Sequence, residues 1–281
     1  MPVYLQPDNL DDAIDALARQ SLHIVAGGTD YYPARIGKPL DDDVLDISRI
    51  GSLRGIEETD EYFWIGATTS WTDIIDVPLP EWFDGLKLAA REVGGVQIQN
   101  AGTIAGNICN ASPAADGVPP MLAMNAEVDL ESIRGTRPMS LENFIISNRE
   151  TRRGLDEIVT GLRISKPANP TRSTFIKLGA RKYLVISIVM VAATIEQGPD
   201  NTIAAARIAV GSCSTVAKRL RFLERDLVGQ PMSADLGALV TPDYLSILRP
   251  INDVRGTADY RFDAAVTLVA RALSQLGAPH G

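Results

Sequence analysis

Cysteine and histidine are scarce: two of each in 281 residues, Cys109 and Cys213, His23 and His280. Two thiols cannot complete an iron–sulfur cluster, for which four ligands are the norm. Two isolated histidines, with no cysteine or acid cluster beside them, do not make a metal site. Nothing in the sequence supports a disulfide between the cysteines, and reduced cytosolic thiols are the default, so a cytoplasmic protein is expected. Long apolar runs are also missing. The longest, Leu184 to Ile195, is interrupted by Ser187 and Thr194; it is too short for a membrane span and suits a buried strand. Met1-Pro2-Val3-Tyr4 has no basic stretch followed by an apolar run, so no secretory signal is expected. Excess positive charge is absent. The net charge of −8 repels nucleic acid phosphates and anionic lipid, which argues against either as a partner. There is no internal repeat, no low-complexity segment and no six-residue dinucleotide fingerprint, which argues against a nicotinamide-type Rossmann domain.

What is present is an ordinary globular composition, 45% hydrophobic and 22% charged. The length suffices for two domains, with a core large enough to need no disulfide or metal staple. The chain opens in α/β style. Asn9 caps a helix carrying Leu10, Ala13, Ile14 and Leu17. His23-Ile24-Val25-Ala26 is a short strand, Gly27-Gly28 a turn, and Thr29-Asp30 the start of a further helix. Val44 to Ile47 and Phe63 to Ile65 read as strands. Trp82, Leu86, Ala89, Ala90 and Val93 form one face of a second long helix. From Gly94 to Pro120 charge nearly vanishes and glycine, asparagine, alanine and serine dominate, as in a long ordered functional loop. Glu127 to Glu131 is a strand, and Ser165 to Ser173 a linker. Two apolar strands follow, Ile186 to Ile195 and Ile203 to Val210. Three helical segments close the chain, the last over about 258–276 with Thr257 as its cap.

Two constellations carry chemistry. In Ile24-Val25-Ala26-Gly27-Gly28-Thr29-Asp30, a strand, a glycine pair and a helix start present several backbone N–H groups together. Glycine there permits positive φ and close approach of a ligand, and such a nest suits a pyrophosphate. A plain tight turn explains the same residues. In Gly102-Thr103-Ile104-Ala105-Gly106-Asn107, followed by Ala111-Ser112-Pro113 and Asp116, the same physics recurs. Gly28 and Gly106 are both expected at positive φ. Two such segments suit one long phosphate-linked ligand held at two places. Asp116 is equally explained as a helix cap before Val118 to Ala126.

Ala26 to Asp30 resembles the first FAD-pyrophosphate loop of the flavoprotein medium subunits in the molybdenum hydroxylase family, the xanthine dehydrogenase and carbon monoxide dehydrogenase type. Gln97 to Asn107, continued by Ala111 to Asp116, resembles their second flavin loop and is the most specific piece. Gly66-Ala67-Thr68-Thr69 looks like the motif after their central strand. Phe175-Ile176-Lys177-Leu178 with Arg181 looks like the opening of their C-terminal domain, and Asp253 to Arg261 like its closing signature. The match covers nearly the whole chain.

The resemblance implies an α+β flavoprotein. Its FAD-binding domain, of the vanillyl-alcohol oxidase and para-cresol methylhydroxylase type, would span residues 1–166, with a possible subdomain split near residue 55. A C-terminal α+β domain of the CO dehydrogenase flavoprotein type would span 172–281. Ile24 to Tyr31 would wrap the FAD diphosphate. Thr103, Ile104, Ala105, Gly106 and Asn107, with Ser112, would supply the second set of contacts. Asp116 would reach a ribityl or ribose hydroxyl, and Lys177 would lie near the isoalloxazine; a strand lysine with its head in solvent is the ordinary alternative. The family further implies a large partner subunit with the molybdenum cofactor and a small one with two 2Fe–2S clusters, as a dimer of heterotrimers. This chain would relay electrons through FAD to NAD⁺, oxygen, a quinone or a carrier protein. A self-sufficient FAD-dependent oxidase of the same fold and a flavin-free scaffold subunit are the competing readings.

The sequence departs from the family in three places. Ala105 stands where a glycine is common. Lys182-Tyr183-Leu184-Val185-Ile186 replaces an acidic residue and aromatic beside the flavin ring, which leaves Tyr183 as the aromatic candidate there, or as a core tyrosine. No cysteine-rich insertion is present, so no additional cluster is expected. Cys109 reads as a small buried hydrophobe, Trp64, Trp71 and Trp82 as core, and Asp41-Asp42-Asp43 as a solvated run.

Overall fold

The structure is a computed structural model that describes residues 2–37, 39, 41–182 and 184–279. Tyr183 and His280 lie outside the described residues. The chain packs into two compact units. The first is Met1–Asp76, Val96–Ala111 and Ala126–Ser165; the second is Val77–Gly95, Ser112–Asn125 and Lys166–Gly281.

Among the described residues, the first unit holds two sheets and a hairpin. Strands Tyr4–Leu5, Val44–Asp46 and His23–Val25 make a parallel three-stranded sheet with Val44–Asp46 in the middle. Helix Leu10–Arg19 covers it because Ala13, Ile14 and Leu17 recur on one face and are buried, while Asn9 Oδ1 accepts from the Asp12 N–H and caps the first turn. These residues pack with Leu22, Leu45, Ile47, Ile50, Leu53 and Ile158. Each such aliphatic side chain contributes about 1.5–3 kcal/mol on full burial. The second sheet is antiparallel, in the order Ile56–Glu58, Tyr62–Gly66, Ile158–Ser165, Glu127–Ser132, Gly135–Ser140. A short hairpin, Ile145–Ser147 with Glu150–Thr151, turns at Arg149, whose φ is +63°.

The second unit is built on an antiparallel four-stranded sheet, Thr171–Leu178, Val189–Gln197, Ile203–Gly211 and Lys218–Arg219. Val189–Gln197 is buried along nearly its whole length because both faces are covered, which is why it reads as a continuous apolar run rather than an alternating one. Helix Ala258–Gly277, capped by Thr257, packs on one side among Val191, Ala193, Ile195 and Ile208. Ala89 and Ala123, from helices Asp84–Glu92 and Val118–Ala123, meet Phe175, Met190 and Ala192 elsewhere on the sheet.

Several local expectations need correction. No helix starts at Thr29. Turns run to a short 3-10 segment, Pro33–Arg35, closed by bonds such as Tyr32 N–H to Gly28 C=O, 3.1 Å. Pro33 lacks an N–H and Gly37 sits at φ +76°, so the coil does not propagate. The stretch from Gly94 to Pro120 is not one loop. It contains helices Val96–Ala101 and Ile104–Asn110, and Val118–Ala123 begins within it. In Ile104–Asn110, burial of Ile104, Ala105 and Ile108 outweighs the poor helix propensity of glycine and asparagine. The long helix expected after Trp82 is a 3-10 turn, Glu81–Phe83, followed by the nine-residue helix Asp84–Glu92. Of the acidic run, Asp41 is exposed, while Asp42, which bonds Arg35 and Tyr31, and Asp43, which accepts from the Val3 N–H, are half-buried.

Candidate functional site

In the first unit the two glycine-bearing segments meet. A Cβ on Gly27 would overlap the Ala101 carbonyl oxygen and crowd Gly102, so only glycine permits this approach. A Cβ added to Gly102 would in turn lie 3.2 Å from Thr29 Oγ1. Gly28 holds φ +65°, as its turn role requires. Gly106 does not share that geometry: it lies in helix Ile104–Asn110 with an ordinary helical φ. Its N–H donates to Thr103 Oγ1 at 3.0 Å, making Thr103 the helix cap.

The Gly66-Ala67-Thr68-Thr69 segment is stitched to the same place. The Trp71 N–H donates to the Gly102 carbonyl at 3.1 Å and the Ile104 N–H to the Thr69 carbonyl at 3.2 Å. Ala26, Gly27, Ser48, Arg54, Thr68, Ser70, Asn100, Ala101 and Thr103 line a cleft of ≈ 260 Å³. Thr68 Oγ1 is buried and has no hydrogen-bond partner among the described residues. A buried polar group without a partner costs about 1–3 kcal/mol unless something satisfies it. A hydroxyl-, amide- and guanidinium-lined cleft with an unmet polar atom fits a polar, phosphate-bearing group such as part of FAD.

Around Tyr31 the ring is already engaged. Arg35 stands over it at 3.8 Å from the centroid, His23 lies 4.8 Å away centroid to centroid, and the hydroxyl donates to Asp42 at 3.1 Å. Burial raises the Tyr31 phenol pKa, and the bond to Asp42 adds to the rise. Arg149 is a residue sequence reasoning missed. Its Nη1 bonds Asp30 Oδ2 at 2.6 Å and also Asn110 Oδ1. It thereby ties the first glycine segment to the far end of the helix that Thr103 starts. A lone arginine in a hairpin carries no sequence signal for that role.

In the second unit the chain continues from Ser112 to Asp116. Ser112 shapes a tight turn, its hydroxyl accepting from Ala114 N–H at 3.3 Å and its carbonyl from Ala115 N–H at 3.0 Å. Asp116 is not a helix cap: Gly117 occupies that position with no side-chain cap. Nor does Lys177 reach solvent. Its side chain is 5% exposed, and Nζ donates to Asp116 Oδ2 at 2.7 Å and to the Glu92 carbonyl at 3.2 Å. The strand Thr171–Leu178 and the turn before Val118 bring the two together, and burial makes each the other's necessary counter-ion. Ser187, seen in the sequence only as a break in an apolar run, donates to Asp116 Oδ1 at 2.6 Å. Burial pushes the Asp116 carboxyl above its ordinary range, while the Lys177 ammonium and the two hydrogen bonds pull it back toward the ionised form. An ammonium has three N–H donors. Two are used, which leaves one without an acceptor among the described residues.

The remaining sequence candidates sit in structural roles. Trp71 and Trp82 are buried and Trp64 half-buried. Both cysteines are free. Burial pushes the Cys109 thiol up to about 11 and that of Cys213 to about 12, so neither is a reactive thiolate at neutral pH.

Residues 1–167 match the family described as the FAD binding domain in molybdopterin dehydrogenase, and residues 174–276 the CO dehydrogenase flavoprotein C-terminal domain. The FAD-subunit of nicotinate dehydrogenase from Eubacterium barkeri is 35% identical over 219 residues, 75% of this chain and 73% of that one. The carbon monoxide dehydrogenase medium chain of Hydrogenophaga pseudoflava is 27% identical over 96% of this chain and 95% of its own. A solved structure of carbon monoxide dehydrogenase from Hydrogenophaga pseudoflava, which lacks the Mo-pyranopterin moiety of the molybdenum cofactor, superposes with a TM-score of 0.87 at 28% identity, over 98% of this chain and 96% of that one. The chain therefore belongs to this family as an oxidoreductase component, the FAD-binding medium subunit of a molybdenum hydroxylase.

Proposed function

We propose that this chain is an electron relay. It holds FAD non-covalently, receives electrons singly from two 2Fe–2S clusters of a small partner subunit, and delivers them in pairs to a terminal acceptor. A large partner with the molybdenum cofactor oxidises the organic substrate, and the whole assembles as a dimer of heterotrimers in the cytoplasm. The relatives' names support this: one is an FAD-subunit and another a medium chain. The unpaired thiols agree with a reducing compartment. Among the described residues no helix is long and apolar enough to cross a membrane.

The observation that carries the reading is the contact of Gly27 with Ala101, which closes two glycine-bearing segments around one cleft. Ile24 to Tyr31 and Thr103 to Asn107 would hold the FAD diphosphate side, chiefly by backbone groups, since the Tyr31 ring is engaged elsewhere. Ser112, Asp116 and Lys177 of the second unit are proposed as further FAD contacts on the family resemblance, with Lys177 presenting its remaining N–H to an anionic or carbonyl acceptor. When bound, FAD supplies the one- and two-electron chemistry, and the protein supplies position and electrostatics. We take residues 1–166 and 172–281 as the two functional domains. Purified chain should release all its flavin as FAD on acid precipitation. The isolated chain should show no flavin reduction by hydroxylase substrates until the partner subunits are added. Rapid reduction of the isolated chain by an organic substrate would instead identify a self-sufficient oxidase, and a chain that takes up no FAD a flavin-free scaffold.

A further inference from the structure

We infer that Ser187 is a positioning residue for the flavin site, acting only through Asp116 and Lys177; this rests on the FAD reading above. Ser187 is 2% exposed and its hydroxyl donates to Asp116 Oδ1 at 2.6 Å. The other carboxylate oxygen, Oδ2, accepts from Lys177 Nζ at 2.7 Å. Each oxygen of Asp116 thus has its own donor, one from strand Thr171–Leu178 and one from the end of the connection that leads into strand Val189–Gln197. The carboxylate plane is thereby fixed by two bonds rather than one. A carboxylate held by Lys177 alone could rotate and take the ammonium with it. Held from both sides, it aims the ammonium along one direction, with the Glu92 carbonyl as the second fixed point.

Ser187 itself is anchored independently of any ligand. The next residue, Ile188, donates its N–H to the Leu178 carbonyl at 2.7 Å, and its own carbonyl accepts from the buried Arg261 at 2.6 Å. The hydroxyl therefore has a fixed origin, which a positioning group needs. A hydroxyl donating to a buried carboxylate also favours its ionised form, against the burial that raises its pKa. Ser187 does this without needing to touch the cofactor.

The test is a double-mutant cycle on the full-length chain, read by FAD dissociation constant (fluorescence titration), flavin midpoint potential and thermal unfolding. Wild type, Ser187→Ala, Asp116→Asn and the double variant are compared, with Ser187→Thr as the conservative variant. Ser187→Ala should weaken FAD binding about tenfold and move the potential, since a hydrogen bond to a charged group is lost. Ser187→Thr should restore both. In the Asp116→Asn background, removing the hydroxyl should change neither by more than about twofold. Additive effects in the cycle would show that Ser187 acts by packing and overturn the inference, as would unchanged affinity and potential in Ser187→Ala. Should the alanine variant not fold, Ser187→Cys, a weak donor of similar size, takes its place in the cycle. A wild-type chain that takes up no FAD would overturn the site reading itself, a result distinct from any failure within the cycle.

Discussion

Gly27 sits so close to Ala101 that the Ala101 carbonyl occupies the space a β-carbon on Gly27 would need. Backbone, not a flexible side chain, is the obstacle, so Gly27→Ala cannot be relieved by a rotamer change. Forcing the two segments apart should cost about 1–3 kcal/mol, as other overpacking substitutions do. We expect lower thermal stability and loss of bound FAD, checked by calorimetry and by the flavin-to-protein absorbance ratio. Full flavin content in this variant would contradict the close approach.

Gly28 and Gly106 should respond differently, although the sequence presents them alike. At Gly28, φ is +65° and a β-carbon would strike the Tyr32 ring. Gly28→Ala should therefore destabilise by about 1–3 kcal/mol. At Gly106 the backbone is helical, and a β-carbon would meet only the Thr103 hydroxyl, at 2.8 Å. Alanine there gains up to about 1 kcal/mol of helix propensity, offsetting the displaced cap. Thermal unfolding should show a clear drop for Gly28→Ala and a small change for Gly106→Ala.

Arg149→Gln tests the tie between Asp30 and Asn110. Both members of the ion pair are about half exposed, 52% and 53%, so the stability change should stay within about 1 kcal/mol. The FAD dissociation rate should nonetheless rise, because the glycine segment loses its link to helix Ile104–Asn110. Stopped-flow apoprotein trapping of released flavin measures it, and an unchanged rate would remove Arg149 from the site.

Asp253 gives a pH signature. The Arg255 N–H and the buried Arg261 guanidinium hold its carboxyl down at about 2. A depressed folded value means the contribution is complete above the unfolded carboxyl pKa of about 3.9 and fades as pH falls toward about 2. Wild-type stability should therefore fall between about pH 4 and pH 2, and Asp253→Asn should flatten that part of the curve. Urea unfolding midpoints across this range check it.

Much of the local structure was legible because single residues dictate it. Asn9 and Thr257 cap the helices they were expected to cap, and the strands around Ile24, Ile65, Val191 and Ile208 follow from apolar runs. The stretch from Gly94 to Pro120 misled for a physical reason: low charge and many small residues describe a pair of short helices, one exposed and one with buried residues, as well as they describe a loop. Lys177 misled because a lysine in a strand is ordinarily solvated, and its buried counter-ion lies 61 residues away.

The sequence by itself determined the α+β class, the glycine segments and their family, because turn chemistry, periodicity and motif order are local properties of a chain. Tertiary structure alone decided which of those residues share a job. It set Gly27 against Ala101, gave Arg149 to Asp30 and Asn110, and paired Asp116 with Lys177 and Ser187. The first is steric and the second joins half-exposed groups; the third depends on burial, which raises the cost of an unpaired charge or a missing donor by several kcal/mol and so selects partners that no spacing in the sequence announces.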